Sequence, residues 1–176
     1  MKVYFIRHSE PDYGPVTTAG LTGFGRDLCP LTPRGILLAQ KLAQDTIFKR
    51  TQLILCSPYT RTLQTATEII RVNNLPLKVE LDLHEWQPDK SGTDIANPQQ
   101  VRQAYQEYQQ YGNTTHPNNH WNYETPNKVK QRVARVLQRY QSYDYIACVT
   151  HSEVMRQFGE WKEIEYCEIK TFNTAN

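Results

Sequence analysis

Residues 2–10 read KVYFIRHSE, and residues 145–153 read YIACVTHSE. In each, four consecutive apolar residues run straight into a polar segment that carries a histidine. Val3-Tyr4-Phe5-Ile6 leads to Arg7-His8-Ser9-Glu10, and Ile146-Ala147-Cys148-Val149 leads to Thr150-His151-Ser152-Glu153. A short, unbroken apolar run bounded by polar residues is how a strand buried on both faces reads. In open α/β sheets, ligands bind outside the carboxyl ends of the strands. The two imidazoles are therefore predicted to share one rim of one sheet.

Working outward, strand-like and helix-like segments alternate, which argues an α/β fold with a largely parallel sheet. Strand one covers about Lys2–Ile6, and a loop rich in Gly, Pro and Thr follows to Pro30. Thr32-Pro33 reads as a helix start. Thr32 supplies a capping oxygen, and Pro33 sits where its missing N–H costs nothing. That helix is predicted to run to Ile47, with Ile36, Ala39, Leu42, Ala43 and Ile47 on one face. Leu53–Cys56 is a second strand. Ser57-Pro58 repeats the cap-then-proline signal and opens a helix to Val72. Leu77–Leu81 is a third strand. Val101, Tyr105 and Tyr108 give helical spacing over 99–111, and 112–126 reads as a loop. Val129, Val133, Val136, Leu137 and Tyr140 mark a strong amphipathic helix. After the Tyr145–Val149 strand come a short helix from Glu153 and a last strand over Cys167–Phe172.

The chain has 176 residues, enough for one domain with a full core. We read 1–176 as a single domain in which 82–126 forms a small cap-like insertion. Apolar content of 39% and charged content of 22% fit a globular protein. A net charge of +2 gives no long-range pull on nucleic acid, and no apolar run reaches the length of a membrane span. Cys29, Cys56, Cys148 and Cys167 are scattered without a CxxC pair, so neither a disulfide framework nor a cysteine metal site is predicted. A reducing cytoplasm is the expected location. The sequence is silent on oligomeric state.

Four strand ends deliver chemistry to the predicted rim. Arg7 and His8 follow strand one, Arg61 lies in the first turns after strand two, His84 and Glu85 follow strand three, and His151 follows the penultimate strand. Arginine presents a rigid, permanently charged donor fork that matches phosphate oxygens. Arg61 near a helix start adds oriented N–H groups. Neutral histidine is a competent nucleophile and titrates near physiological pH. A neighbouring carboxyl can protonate a leaving alcohol and then activate water. His116 and His120 also stand at i, i+4, but the Asn/Pro-rich loop offers no acidic or Cys partner at ligand spacing, so no metal site is read there.

These residues resemble the histidine phosphatase superfamily, also called phosphoglycerate-mutase-like, over nearly the whole chain. Arg7-His8-Ser9-Glu10 resembles its RHG[E/Q] signature, and Leu31-Thr32-Pro33-Arg34-Gly35 its LTxxG helix start. Residues 57–66, SPYTRTLQTA, resemble its SPxxRxxQTA segment. Leu83-His84-Glu85-Trp86 is similar to its acidic segment, and Val149-Thr150-His151-Ser152 to its second histidine motif. The resemblance implies a three-layer α/β/α sandwich with a mostly parallel central sheet. It implies a phosphomonoester hydrolase of the histidine acid type, with His8 becoming phosphohistidine and Glu85 donating and later taking the proton. Arg7, Arg61 and His151 would hold the phosphoryl oxygens, with Ser9 and Ser152 beside them. No metal and no cofactor are implied. The substrate would be a small phosphorylated metabolite, and inorganic phosphate the product.

Two positions depart from the family pattern. Ser9 stands where the family has Gly, and Ser152-Glu153 follow the second histidine where glycine is usual. Ser9 is expected to restrict the backbone where phosphate approaches, and Glu153 to add negative charge near an anion. These departures keep open a catalytically weakened member that binds phosphate ligands or proteins. A phosphoglycerate mutase is the other alternative. The mutases are longer and carry a Ser and an Asn soon after the first motif, where this chain has Pro11-Asp12-Tyr13. The loop 11–30 and the insert 86–125 are expected to line the entrance, with Trp86, Trp121, Arg26 and Lys90 as candidate substrate contacts.

Overall fold

All five predicted strands form, and they join in one sheet. The computed structural model describes residues 1–91, 95, 97–114 and 119–174. Strands β1 (Lys2–Arg7), β2 (Leu53–Cys56), β3 (Leu77–Val79), β4 (Tyr145–Thr150) and β5 (Ile169–Asn173) lie in the order β3-β2-β4-β1-β5. All neighbours are parallel except β5, which runs antiparallel to β1.

Strand alternation sends successive side chains to opposite faces, and both faces are covered. Val3, Phe5, Leu53, Leu55, Ile146 and Cys148 meet one hydrophobic cluster. There they pack with Val129, Val133, Val136 and Leu137 of helix α5 (Pro126–Arg139). Ala104 and Tyr108 of α4 (Pro98–Tyr111) and Val154 and Met155 of α6 (Ser152–Arg156) join the same cluster. Tyr4, Ile6, Ile54, Cys56, Ala147 and Val149 meet the opposite cluster. Leu42 of α2 (Pro33–Leu42) and Ala66 and Ile69 of α3 (Thr60–Asn73) cover that side. The result is the three-layer α/β/α arrangement.

Several element boundaries differ from the sequence reading, each for a local reason. The 11–30 segment is not plain loop: it holds a short helix α1 (Gly14–Thr18) and a 3-10 helix, Gly23–Leu28. Helix α2 stops at Leu42, because the Asp45 carboxylate accepts from Ile47 N at 2.9 Å and starts a separate 3-10 turn, Thr46–Lys49. Ala39, Leu42 and Ala43 of the predicted stripe are buried, whereas Ile36 stays exposed. Thr32 does cap α2, its Oγ1 accepting from Gly35 N at 2.8 Å. Helix α3 begins at Thr60, not Ser57; Tyr59 is its N-cap residue, and no side chain caps it. Strand β3 ends at Val79, and a 3-10 turn, Leu81–Leu83, buries Leu83 and leads into His84. The last strand starts at Ile169, after Cys167 takes a left-handed φ of 61°.

Gly35 shows how tightly the first motif is built in. A Cβ there would come within 2.4 Å of the Glu10 carbonyl oxygen. That oxygen already accepts from Thr32 N, and Ser9 Oγ donates to the Gly35 carbonyl at 2.6 Å. Helix α2 and the loop after β1 thus pack backbone to backbone. Gly35→Ala is expected to cost about 1–3 kcal/mol in urea unfolding, the usual range for overpacking; a loss below about 0.5 kcal/mol would mean that the loop yields freely.

Candidate active site

The pairing of β1 with β4 sets the two histidines side by side. Arg7 is in register with Thr150, and His8 N donates to Thr150 O at 2.9 Å, one step beyond the strand. The His8 and His151 rings meet edge to face with centroids 5.1 Å apart. Both are buried.

Each imidazole is fixed by its partners. His8 Nδ1 lies 2.7 Å from Ser9 O, and a carbonyl can only accept. Nδ1 therefore carries the proton, and Nε2 keeps the lone pair. His151 Nε2 lies 2.8 Å from Ser57 Oγ, while its Nδ1 faces Arg61 Nη2 at 3.5 Å. Arginine can only donate, so Nδ1 is the accepting nitrogen and Nε2–H donates to Ser57. Burial first, and the Arg61 charge second, hold both imidazoles well below the usual histidine pKa of 6.5. Both are neutral at pH 7.

Arg61, in the first turn of α3, is buried with its charge. Asp27 Oδ1 is 3.3 Å from Nη1, Cys29 Sγ is 3.6 Å away, and the face of Tyr59 lies 4.9 Å from the guanidinium carbon. Nε has no partner among the described residues. A buried donor left unmade costs about 1–3 kcal/mol. An anionic oxygen would supply the missing acceptor. Arg7 stands similarly. Its Nη1 donates to Ile164 O, its guanidinium lies 4.2 Å from the centroid of Tyr166, and its Nε lacks a partner among the described residues. The Tyr166 ring is also 5.9 Å from His8.

Glu85 arrives from the other side, after the turn at Leu81–Leu83. Its Oε1 accepts from Trp86 N at 2.8 Å. Its segment is clamped by Arg132 of α5, which donates to Asp82 O at 2.6 Å and Glu85 O at 3.3 Å. Arg132 in turn pairs with buried Glu124 through two bonds of 2.7 and 3.0 Å. Burial pushes the Glu85 carboxyl up from 4.5 to about 7, and the negative charge of Glu153 pushes the same way. This carboxyl can hold a proton at neutral pH, as a general acid must.

The sequence puts both serines next to the histidines, and in the structure Ser9 directs its polar groups into the fold. Ser9 N donates to Thr65 Oγ1 at 3.0 Å, and its Oγ donates to Gly35 O, so both donors are used inside the fold. Ser9 is wholly buried against α2 and α3. Ser152 is the half-buried first residue of α6. The Glu153 charge does not stand bare, since Tyr105 OH donates to it at 2.7 Å and Arg156 pairs with it.

A cleft of about 210 Å³ opens from Arg61 and Glu85. Arg26 and Trp86 line it as expected; Lys90 does not, and Trp121 packs on the core instead. Sequence reasoning missed Asp27, Ser57 and Tyr59. Asp27 sits in a stretch with no period, and Ser57 was taken for a cap. His120 pairs with Glu107 at 2.9 Å; His116 lies outside the described residues.

A family model matches residues 3–176, described as histidine phosphatase superfamily (branch 1). The chain belongs to the histidine phosphatase superfamily. No curated protein matches it. Solved structures do. The alpha-ribazole phosphatase from Shigella flexneri is 27% identical with a TM-score of 0.59, over 88% of this chain and 76% of that one. Bacillus stearothermophilus YhfR is 18% identical with a TM-score of 0.70, over 97% and 89%. A mycobacterial glucosyl-3-phosphoglycerate phosphatase, solved with inorganic phosphate, is 15% identical with a TM-score of 0.64, over 89% and 75%. The five-stranded, mostly parallel sheet of this chain is the fold they share.

The raised Glu85 pKa has a consequence for stability. A carboxyl whose folded pKa exceeds its unfolded value stabilises the fold below the unfolded value, here 4.5. That contribution is lost as pH rises through about 7. Gln at 85 keeps the acceptor for Trp86 N and cannot ionise. Glu85→Gln should match the wild-type Tm at pH 4 and exceed it by about 6–12 °C at pH 8.5, since a shift from 4.5 to about 7 is worth roughly 3 kcal/mol and each kcal/mol moves Tm by about 2–4 °C. A calorimetric gap that is the same at both pH values would contradict the raised pKa.

Proposed function

We propose that this chain is a metal-independent phosphomonoester hydrolase that works through a phosphohistidine on His8. The observation that carries the reading is the tautomer of His8. With Nδ1–H held by Ser9 O, the Nε2 lone pair is kept on a buried, neutral imidazole beside His151 and an under-satisfied Arg61.

In the first step His8 Nε2 attacks phosphorus, a P–N bond forms, and the ester P–O bond breaks. The protonated Glu85 gives its proton to the departing alcohol. Arg7 and Arg61 hold the phosphoryl oxygens, His151 turns its Nε2–H from Ser57 Oγ to one of them when substrate binds, and the arginine charges offset the charge that spreads over them in the transition state. In the second step the Glu85 carboxylate takes a proton from water, the water oxygen attacks phosphorus, and the P–N bond breaks. Inorganic phosphate leaves and His8 is neutral again. The guanidinium groups do the neutralising that a divalent cation does in other phosphoryl transfers, so no metal is called for by the residues. The segment 82–126 contributes Glu85 and part of the cleft wall, which fits a small cap within a single domain. The substrate is a small phosphorylated metabolite.

A weakened, non-catalytic phosphate binder was the alternative raised by Ser9 and Glu153. Ser9 turns its hydroxyl into the fold, and Glu153 is paired, so those grounds weaken. A mutase would isomerise a substrate rather than release phosphate.

Hydrolysis of p-nitrophenyl phosphate should persist in excess EDTA and fall at least about a thousandfold in His8→Ala. Loss in EDTA restored by Zn²⁺ would mark a metallohydrolase instead. Glu85→Gln divides the two steps. Nitrophenolate needs no proton to leave, whereas water must lose one. Rapid mixing should therefore show a nitrophenol burst followed by steady turnover slowed about 10²- to 10⁴-fold. Loss of the burst as well would remove Glu85 from the role assigned to it.

A further inference from the structure

The cleft beyond the reacting groups has a chemical character of its own. Arg61 and Glu85 are part of its wall. The rest of its wall includes Tyr13, Phe24, Trp86, Pro88, Ile95 and Val101. Aromatic and aliphatic side chains thus line the space beside Arg61 and Glu85, the residue proposed above to protonate the leaving alcohol. Phe24 is 52% exposed, an unusual state for a phenyl ring, and it faces this cleft.

Asp27, Asp89 and Arg26 on the wall are already engaged. Asp27 pairs with Arg61. Asp89 accepts from the Ser91 hydroxyl at 2.6 and 2.8 Å. The Arg26 guanidinium lies 5.1 Å from the centroid of the Tyr13 ring. A substrate with a carboxylate besides its phosphate would meet Asp27 and Asp89, with Arg26 as the one wall cation among the described residues apart from Arg61, which the phosphate itself occupies. A polyhydroxylated sugar would give up water for a wall with few open partners, at a cost for each unpaired hydroxyl. Size narrows the choice further. A cavity of about 150 Å³ takes one benzene ring, and this cleft of about 210 Å³ is moderately larger.

We infer that the preferred substrates are phosphate monoesters of a small alcohol bearing a single aromatic ring, and that Phe24 is a specificity-determining residue for that ring. The inference rests on the hydrolase reading above and concerns the part of the substrate that the phosphate chemistry does not touch. The wall meets the ring equally in the ground and transition states, so the preference belongs in KM, not kcat.

The test compares 2-phenylethyl phosphate with ethyl phosphate and glycerol 3-phosphate, all esters of alkyl alcohols, so intrinsic leaving ability is nearly matched. The phenyl ester should show at least about tenfold higher kcat/KM, as burial of one ring allows. Phe24→Ala should raise its KM about fivefold, leave its kcat unchanged and leave ethyl phosphate unaffected. Equal kcat/KM for the three esters, or a preference for glycerol 3-phosphate, overturns the inference. So does a Phe24→Ala effect of the same size on ethyl phosphate. Calorimetric binding of 2-phenylethylphosphonate against ethylphosphonate reads the same preference without turnover. If neither ester nor p-nitrophenyl phosphate is hydrolysed while the phenyl phosphonate still binds at least about tenfold tighter, the hydrolase reading fails and the ring preference stands. Equal binding of the two phosphonates sinks the preference whatever the turnover.

Discussion

The parallel ladder between β1 and β4 is the constraint on which the rest depends. It brings residues from opposite ends of the chain into register, Arg7 beside Thr150, and the bond from His8 N to Thr150 O carries that register to the histidines. Local sequence puts both imidazoles on one rim, and the ladder sets them side by side. Once they are adjacent, their immediate surroundings do the fine work. Ser9 O fixes the proton on His8, Ser57 Oγ and Arg61 fix it on His151, and the backbone contact between Glu10 and Gly35 holds the first loop against α2. The sheet is buried on both faces, which makes the rim stiff enough to hold two uncharged histidines and a charged arginine with few direct partners.

Desolvation then gives the titratable groups unequal roles. It lowers the pKa of His8 and His151 and raises that of Glu85. One physical cause therefore yields neutral imidazoles next to a carboxyl that is still partly protonated at pH 7. Pairs of groups whose environments move their pKa values toward opposite tasks are the usual mark of acid–base chemistry. The cost is carried by Arg61 and Arg7, whose Nε groups lack partners among the described residues. The fold maintains these arginines with rings, Tyr59 and Tyr166, rather than with full ion pairing. The Arg132–Glu124 pair holds the Glu85 segment from outside the cleft, so the position of the acid is set by a buried bidentate contact and not by the loop itself.

Much of this was legible in the sequence because it is local. An apolar tetrad followed by a polar residue identifies a strand and its carboxyl end, so Arg7, His8 and His151 could be placed on one rim. Thr32-Pro33 likewise announces its own helix. What stayed hidden depends on neighbours distant in sequence. Ser57 has the composition of a cap, yet its hydroxyl meets His151 because β2 lies next to β4. Asp27 belongs to a stretch with no periodic pattern, and only the fold brings it to Arg61. Ser9 follows a catalytic-type histidine, and its outward or inward orientation is decided by Gly35 and Thr65, which no local rule names. The end of α2 was missed because Asp45 offers the backbone a cap that competes with helix continuation.

The central claim concerns one nitrogen atom. Rapid quenching of the wild-type protein with p-nitrophenyl phosphate, followed by ³¹P NMR and tandem mass spectrometry under alkaline conditions, reads which atom carries phosphate. The Nδ1–H bond to Ser9 O predicts an acid-labile phosphate on Nε2 of His8. Phosphate on Nδ1, phosphate on another residue, or turnover with no phosphoenzyme at any quench time would contradict it.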